Sequence, residues 1–340
     1  MIKEAIHTLV SGRSLTFEEA ASVMEEIMSG EATPAQFAAF VTALRVKGET
    51  VDEIAGLASV MQAKATPVPV TSPVIDTCGT GGDSSSSFNI STAAAFVVAG
   101  AGLKVAKHGN RAMSSHCGSA DVLEALGVKI NLGAKPVARC LEIVGIGFMF
   151  APIFHPAMKY AAAPRREIGI RTVFNILGPL TNPAHAEFQV IGVPSTELGD
   201  KIASVLHRLG TKHSLVVHGI DGMDEISIGG KSLVWDVNQH RVSPPYEVSP
   251  EDFGFEKASM AEIRGGTAEQ NAAILRDILS GEAGPRRNVV VMNAAAALVA
   301  GNRASDLREG AQIAKETIDS GRALIKLAEL IKLSQSLDKE

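Results

Sequence analysis

Aromatic side chains are scarce in this chain, at 4% of its 340 residues, with one Trp and two Tyr. Since 46% of the residues are nonetheless apolar, the core has to be built from Ala, Val, Leu and Ile. That favours close-packed helices and parallel strands over a β-sandwich. Cysteine is equally thin: Cys78, Cys117 and Cys140 are an odd number in a long chain. This excludes a disulfide framework and points to a reducing compartment. The most apolar run, residues 93–103, is far too short to cross a bilayer. No signal peptide is expected, because Lys3 and Glu4 already stand within the first six residues. Positive charge is not in surplus either. A net charge of −5 speaks against a nucleic-acid coat, so any affinity for phosphate has to be local. The expectation is a soluble, cytoplasmic protein.

Several catalytic signatures are missing as well. There is no G-x-x-x-x-G-K-[ST], which excludes a nucleotide-triphosphatase loop, and no G-x-S-x-G, which removes the usual Ser–His hydrolase. The dinucleotide pattern G-x-G-x-x-G fails because Ser84 stands at its third glycine. Cys78, His108, His116 and Cys117 lack the C-x-x-C or H-x-x-x-H spacing of a zinc site.

What is present is concentrated in residues 76–92, D-T-C-G-T-G-G-D-S-S-S-S-F-N-I-S-T. Val74 and Ile75 before it suit a buried strand, and the small-residue run 93–100 after it suits a packed helix. Strand, glycine loop and helix start form a phosphate-binding arrangement. Glycines let the backbone approach an anion, and the first N–H groups of a helix have no internal partner. The serine hydroxyls add further donors.

Along the rest of the chain, residues 1–64 read as helices with explicit starts. Thr16 with Glu19, Thr33 with Pro34 and Gln36, and Thr50 with Glu53 are capping boxes. Apolar residues recur at helical spacing, as in Val23, Met24 and Ile27 or Phe37, Phe40, Val41 and Leu44. Three prolines within 66–73 mark a linker. Alternation follows, with strands expected at 103–106, 148–150, 188–193, 215–217 and 289–292. Helices are expected at 120–126, capped by Ser119, and at 138–144. The fold class is therefore α/β: a small N-terminal helical domain (1–65), the linker, and a larger α/β domain (74–340) with a mainly parallel central sheet. Residues 155–183 break the rhythm and are expected to leave the sheet, pack on the N-terminal helices and return. Residues 305–333 read as two amphipathic helices.

Polar residues cluster after the strands, where open α/β sheets place ligands. Lys107, His108, Gly109, Asn110 and Arg111, followed by Ser114, Ser115 and Ser119, suggest a second anion site. The neighbouring acids Asp224 and Glu225 suit Mg²⁺, which takes oxygen ligands and shares substrate phosphates. Asp83 could reach the same place and Ser91 could offer its hydroxyl. Two anion sites and a carboxylate metal site suggest a substrate with two separate phosphate groups. Arg165, Arg166 or Arg171 could hold a second, anionic substrate, since a guanidinium grips a carboxylate through two parallel hydrogen bonds.

Assembled in order, these motifs resemble the anthranilate phosphoribosyltransferase family. The matches are G-T-G-G-D at 79–83, F-N-I-S-T at 88–92, K-H-G-N-R at 107–111 and S-S-x-x-G-S-A-D-V-L-E-A-L-G at 114–127. They continue with H-P-A-M-K at 155–159, R-R-E-x-G-x-R-T-x-F-N-x-L-G-P-L-x-N-P at 165–183 and D-G-M-D-E at 221–225. Ile168 departs from the family's common leucine without consequence. The resemblance implies a homodimer with the fold of pyrimidine nucleoside phosphorylases, possible association with anthranilate synthase, and Mg²⁺, two per subunit. Phosphoribosyl diphosphate would meet Gly79, Gly82, Asp83, Ser87, Asn89, Ile90, Ser91 and Thr92. Lys107, His108, Gly109, Asn110, Arg111, Ala112, Met113, Ser114, Ser115 and Ser119 would join them. Anthranilate would face Gly79, Asn110 and Arg165; the metal would face Ser91, Asp224 and Glu225; Lys107, Asp83 and Arg165 would carry catalysis. No membrane or nucleic-acid partner is implied. The rival readings are a pyrimidine nucleoside phosphorylase, with a phosphate-only site, and a relative that binds nucleic acid without catalysis.

Overall fold

The computed structural model describes residues 1–83, 85–112 and 117–337. Helices α1 (Ile2–Val10), α2 (Phe17–Met28), α3 (Pro34–Lys47) and α4 (Val51–Ala63) open the chain. The last three begin at their threonines. Each hydroxyl accepts the N–H three residues on, and Glu19, Gln36 and Glu53 accept the threonine N–H in return. Glu53 does more than cap. Fully buried, it also accepts Leu15 N–H at 2.9 Å and pairs with Lys47 Nζ at 2.9 Å, tying α3, α4 and the α1–α2 connection at one carboxylate. Residues 66–73 form no regular element but are pinned, Thr66 N–H to Phe154 C=O at 2.7 Å and Val68 N–H to Pro183 C=O at 3.0 Å.

The sheet consists of β1 (Ile75–Gly79), β2 (Val105–Gly109), β3 (Ile146–Phe150), β4 (Phe188–Gly192), β5 (His213–Gly219), β6 (Ser232–Asn238) and β7 (Tyr246–Val248). Their order is β3-β2-β1-β4-β5-β6-β7. The pairings from β3 across to β5 are parallel, and β6 and β7 join antiparallel. The chain runs outward from β1 to β3, then restarts at β4 on the other side of β1. The β1–β4 seam is thus the switch point at which such sheets leave a crevice beyond the strand ends.

Helices α5 (Ile90–Gly100), α6 (Ser119–Leu126), α7 (Ala134–Ile143), α8 (Ala151–Phe154), α9 (Lys159–Ile168) and α10 (Thr196–Arg208) follow the successive strands. Then α11 (Ala268–Leu279), α12 (Pro285–Ala300), α13 (Leu307–Asp319) and α14 (Arg322–Leu337) close the chain. Two apolar cores lie on opposite faces of the sheet. Leu215, Val217 and Val234 join α5, α12 and α14 in one; Val216, Trp235 and Val237 join α1–α4 and α10 in the other. Both faces being covered, the strands read as apolar runs rather than alternations. Residues 155–183 run along the N-terminal helices. Ala161, Phe174 and Leu177 pack in the core of the N-terminal helices, with the Phe37 and Phe174 rings 5.2 Å apart. The segment returns to the sheet through Asn182, whose Nδ2 donates to the Asp76 carboxylate at 2.8 Å.

Two expectations need correction. Residues 289–292 are not a strand but part of α12, whose residues 289–298 are all buried. A helix enclosed on every side shows no amphipathic period, so its valines look like a strand. Ser119 lies inside α6, and Gly118 is the residue before its first turn. The antiparallel strands β6 and β7 were not anticipated.

Candidate active site

The crevice at the switch point is a cleft of about 1240 Å³. Its floor is where β1, β4 and the loop after β5 converge. Thr80 N–H donates to Gly192 C=O at 2.9 Å, and Gly81 N–H donates to Asp224 Oδ2 at 2.8 Å. The Asp224 segment lies so close that a Cβ on Gly79 would overlap its carboxylate, and one on Gly192 its backbone carbonyl. Gly82 has φ +86°, and the Arg171 guanidinium fills the space a side chain there would need. Arg171 itself donates to Gly81 C=O at 2.8 Å. Ser85 Oγ donates to the Asp83 carboxylate, and Ser87 Oγ lies 3.2 Å from Ser85 Oγ.

The side chains at the ends of β1 and β2 alternate across the sheet. Lys107 is buried toward α5, with Nζ donating to Thr77 C=O at 2.5 Å and to Ser91 Oγ at 3.4 Å. Thr77 Oγ1 in turn donates to Ser91 C=O at 3.1 Å. On the other face, His108 Nδ1 lies 3.2 Å from Gly178 C=O, and its ring centroid is 5.0 Å from that of His155. Burial pushes His108 down to about 3 and His155 down to about 4, so both imidazoles are neutral. Their Nε2 atoms, with Thr80 Oγ1 and Thr92 Oγ1, are buried without a hydrogen-bond partner among the described residues. Such atoms in a cleft wall can take a hydrogen bond from water or a polar ligand.

Asp224 and Glu225 are driven upward by loss of solvent, Asp224 to about 6 and Glu225 well above its ordinary range. For Asp224 the Asp83 charge adds to this; for Glu225, Asp224 does, while Lys107 and the Ser91 amide oppose it. Lys107 and Arg171 offset the two buried carboxylates only in part, and the oxygen donors they offer, with Ser91 nearby, fit Mg²⁺. Among the described residues no three His, Cys, Asp or Glu side chains converge on one point, so a metal here would complete its shell from substrate oxygens.

On the opposite wall Arg165 stacks over the Phe174 ring at 5.5 Å, has no carboxylate partner among the described residues, and is pulled down in pKa by burial. Arg166 and Arg171 also line the cleft. Arg111 reaches the rim but is engaged elsewhere, paired with Asp121 at 2.9 Å and Glu124 at 2.7 Å. Ala112 N–H donates to Asp121 at 2.9 Å, and Ser119 Oγ lies 3.4 Å from Asn110 C=O, beside Gly109. The remaining expected residues Gly79, Asn89, Ile90 and Asn110 line the same cleft. Met113, Ser114 and Ser115 lie outside the described residues.

Sequence reasoning missed the segment that closes over the serine loop. Gly265 N–H donates to Ser86 C=O at 2.9 Å, and buried Asn271 donates to Asn89 Oδ1 at 2.9 Å while accepting Gly266 N–H at 2.8 Å. Only the paired glycines before the Thr267–Gln270 capping box signal it.

Comparison with known proteins agrees with this geometry. Family models match the helical bundle domain of a glycosyl transferase family over residues 3–65 and its a/b domain over residues 71–324. An anthranilate phosphoribosyltransferase of Dehalococcoides mccartyi is 62% identical over 338 residues, 99% of each chain. The crystal structure of anthranilate phosphoribosyltransferase from Thermus thermophilus superposes with a TM-score of 0.92 at 42% identity, covering 97% of this chain and 99% of that one. The Saccharomyces cerevisiae enzyme, 29% identical over 98% of each chain with a TM-score of 0.91, is known in complex with PRPP and Mg. It is also known with 4-fluoroanthranilate, at 28% identity and TM-score 0.88 over 98% of each chain.

Proposed function

This chain belongs to the anthranilate phosphoribosyltransferases, and we propose that its cleft divides into a diphosphate-and-metal half and an anthranilate half. The reaction moves the phosphoribosyl group of 5-phosphoribosyl 1-diphosphate to the amino group of anthranilate, a step of tryptophan biosynthesis. The observation that carries the division is the buried Arg165 guanidinium, without a carboxylate partner among the described residues, on one wall, and the buried Asp224–Glu225 pair, only partly offset by Arg171 and Lys107, on the other.

In this reading the glycine–serine loop (Gly79, Gly82, Asp83, Ser87) and the start of α5 (Asn89–Thr92) receive phosphate through backbone and hydroxyl donors. Residues 107–115 and Ser119 complete that half. Lys107 faces the departing diphosphate. Asp224, Glu225 and Ser91 would hold Mg²⁺, two ions per subunit, which neutralises the leaving group's charge. Arg165 grips the anthranilate carboxylate, while Gly79 and Asn110 border the ring. As the ribosyl C1–oxygen bond breaks, its electron pair leaves with diphosphate. C1 gains oxocarbenium character, and the nitrogen lone pair forms the C1–N bond from the opposite face. The aromatic amine is already neutral at pH 7, so it needs orientation rather than activation, and no covalent enzyme intermediate is required.

We further infer the domain division 1–65, 66–73 and 74–340, part of 155–185 going with the helices. The two family-model matches support it. A cytoplasmic homodimer able to associate with anthranilate synthase completes the reading. Among the described residues no helix is long and apolar enough to cross a membrane. The fluorescence of anthranilate mixed with protein, Mg²⁺ and phosphoribosyl diphosphate tests the core of it. Decay should need all three components and vanish in Asp224→Asn/Glu225→Gln. A flat trace from folded protein would remove the transferase reading.

A further inference from the structure

We propose that Asn293, on the buried helix α12, is the positioning residue that fixes the Asp224–Glu225 pair in the floor of the cleft. The proposal rests on the reading of that pair as the Mg²⁺-holding carboxylates. Asn293 is 3% exposed and is not part of the cleft lining, so no substrate reaches it. Its carboxamide is nonetheless fully used. Oδ1 accepts Ile226 N–H at 2.9 Å; Nδ2 donates to Ile226 C=O at 3.0 Å and to Val289 C=O, one turn back, at 2.9 Å. One carbonyl and two N–H donors match one N–H and two carbonyls, which also fixes which amide atom is which.

The first two bonds close on both backbone groups of one residue, as a neighbouring strand would. That residue directly follows Glu225, so Asn293 sets the peptide plane leading out of the carboxylate pair. The setting needs such a clamp. Residues 220–231 form no regular element between β5 and β6. Elsewhere the loop is anchored by Gly81 N–H to Asp224 Oδ2 at 2.8 Å and by Ala258 N–H to Ile228 C=O at 3.1 Å, and several of its bonds are its own. Gly219 N–H meets Met223 C=O at 3.0 Å, Asp221 Oδ1 takes Met223 N–H at 3.4 Å, and Ser227 Oγ donates to Asp221 at 2.5 Å. These give the loop a shape; Asn293 attaches that shape to a helix buried on every side. Gly79 and Gly192 leave Asp224 no slack against the sheet, so a tilt of the Ile226 peptide has to move the neighbouring Glu225 relative to Ser91 and Lys107. Replacing Asn293 by Ala or Leu strands a buried N–H and C=O on Ile226, which then have to seek other partners.

Partners that orient metal ligands typically govern metal affinity by 10- to 100-fold. For Asn293→Ala we expect the Mg²⁺ concentration giving half-maximal rate to rise about 10-fold. Rate should return at high Mg²⁺, and the KM for anthranilate should stay within about twofold. The readout independent of turnover is Mn²⁺ titrated into the full chain with phosphoribosyl diphosphate, bound ion being counted from the loss of the free-ion EPR signal against a protein-free control. It should show the same weakening. Asn293→Asp keeps the side-chain shape and the acceptor for Ile226 N–H, and it is read by the same two numbers should the alanine variant not fold. Mg²⁺ half-saturation and Mn²⁺ binding within about twofold of the parent, with only the melting temperature lowered, would show a merely structural asparagine and overturn the proposal. A parent protein that neither requires Mg²⁺ nor takes up Mn²⁺ would instead overturn the metal reading beneath it.

Discussion

At the scale of single residues, direction decides what residue type leaves open. Three arginines could serve a second anionic substrate, and their spacing does not rank them. In the fold Arg171 donates to Gly81 C=O, Arg166 is exposed, and Arg165 lies on Phe174 without a carboxylate partner among the described residues, which favours Arg165. Arg165→Ala should therefore raise the KM for anthranilate roughly 10- to 100-fold, the worth of a charge-assisted pair. The KM for phosphoribosyl diphosphate should move much less. Steady-state kinetics in both substrates checks this, and equal damage to both would defeat the assignment. Close approach is likewise invisible in sequence. Gly192 looks like a strand's last residue, yet its missing Cβ is the room the Asp224 backbone occupies. Gly192→Ala should cost about 1–3 kcal/mol of stability, as overpacking does. It should also raise the Mg²⁺ requirement, measurable by denaturant melts and Mg²⁺ titration of the rate.

Among elements, those with a local chemical signature were legible and those defined by their neighbours were not. Thr16, Thr33 and Thr50 announce α2, α3 and α4 because a capping box is complete within four residues. The glycine loop and the start of α5 were legible for the same reason. By contrast α12 is a helix only because α5, α13 and the sheet enclose it, and β6 is a strand because β5 offers an edge. Glu53 joins both kinds, cap and buried partner. Glu53→Ala should cost about 3–5 kcal/mol by leaving Lys47 unpaired, whereas Thr50→Ala, which loses only the cap, should cost about 1 kcal/mol. Urea melts that rank them otherwise would refute this. Between β5 and β6, His213 faces Asp236 through Nε2 and Asn302 Oδ1 through Nδ1, both at 3.3 Å, so its charged, doubly donating form is favoured. Its pKa is raised by the Asp236 hydrogen bond and charge. The contribution is present below about 6.5, the unfolded value, and is lost as pH rises through the raised folded value. Partial exposure holds it under about 1 kcal/mol. Melting temperatures of the parent and Asp236→Asn should therefore converge as pH rises above about 6.5 through the raised folded value.

For the whole molecule, the sheet is a partition shared by two cores, and the cleft straddles it. The wall that carries Lys107 and Ser91 belongs to the core built on α5. The wall that carries Arg165 and Phe174 belongs to the core of α1–α4, which runs on without a break into Val216, Trp235 and α10. The alternation of strands and helices foretold a sheet covered on both faces, and the proline-rich stretch suggested a linker. Neither could show that the N-terminal helices have no core apart from the sheet, because that depends on which strand faces they cover. Two consequences follow for unfolding. Heating should give one cooperative transition rather than a separate melting of residues 1–65, since parting the halves would bare Phe37, Phe40 and Trp235 together. Ligands that bridge both walls should stabilise that single unit as a whole. Phosphoribosyl diphosphate with Mg²⁺ at about 100 times its Kd would add about 2.7 kcal/mol, a shift of a few degrees in Tm. Mg²⁺ alone should add almost nothing, because its shell is incomplete without substrate phosphates, and Asp224→Asn/Glu225→Gln should lose the shift. Calorimetry decides both points. Two resolved peaks would mean that the cores are independent, and a full shift from phosphoribosyl diphosphate without Mg²⁺ would mean that Lys107 and the loop amides hold the diphosphate unaided.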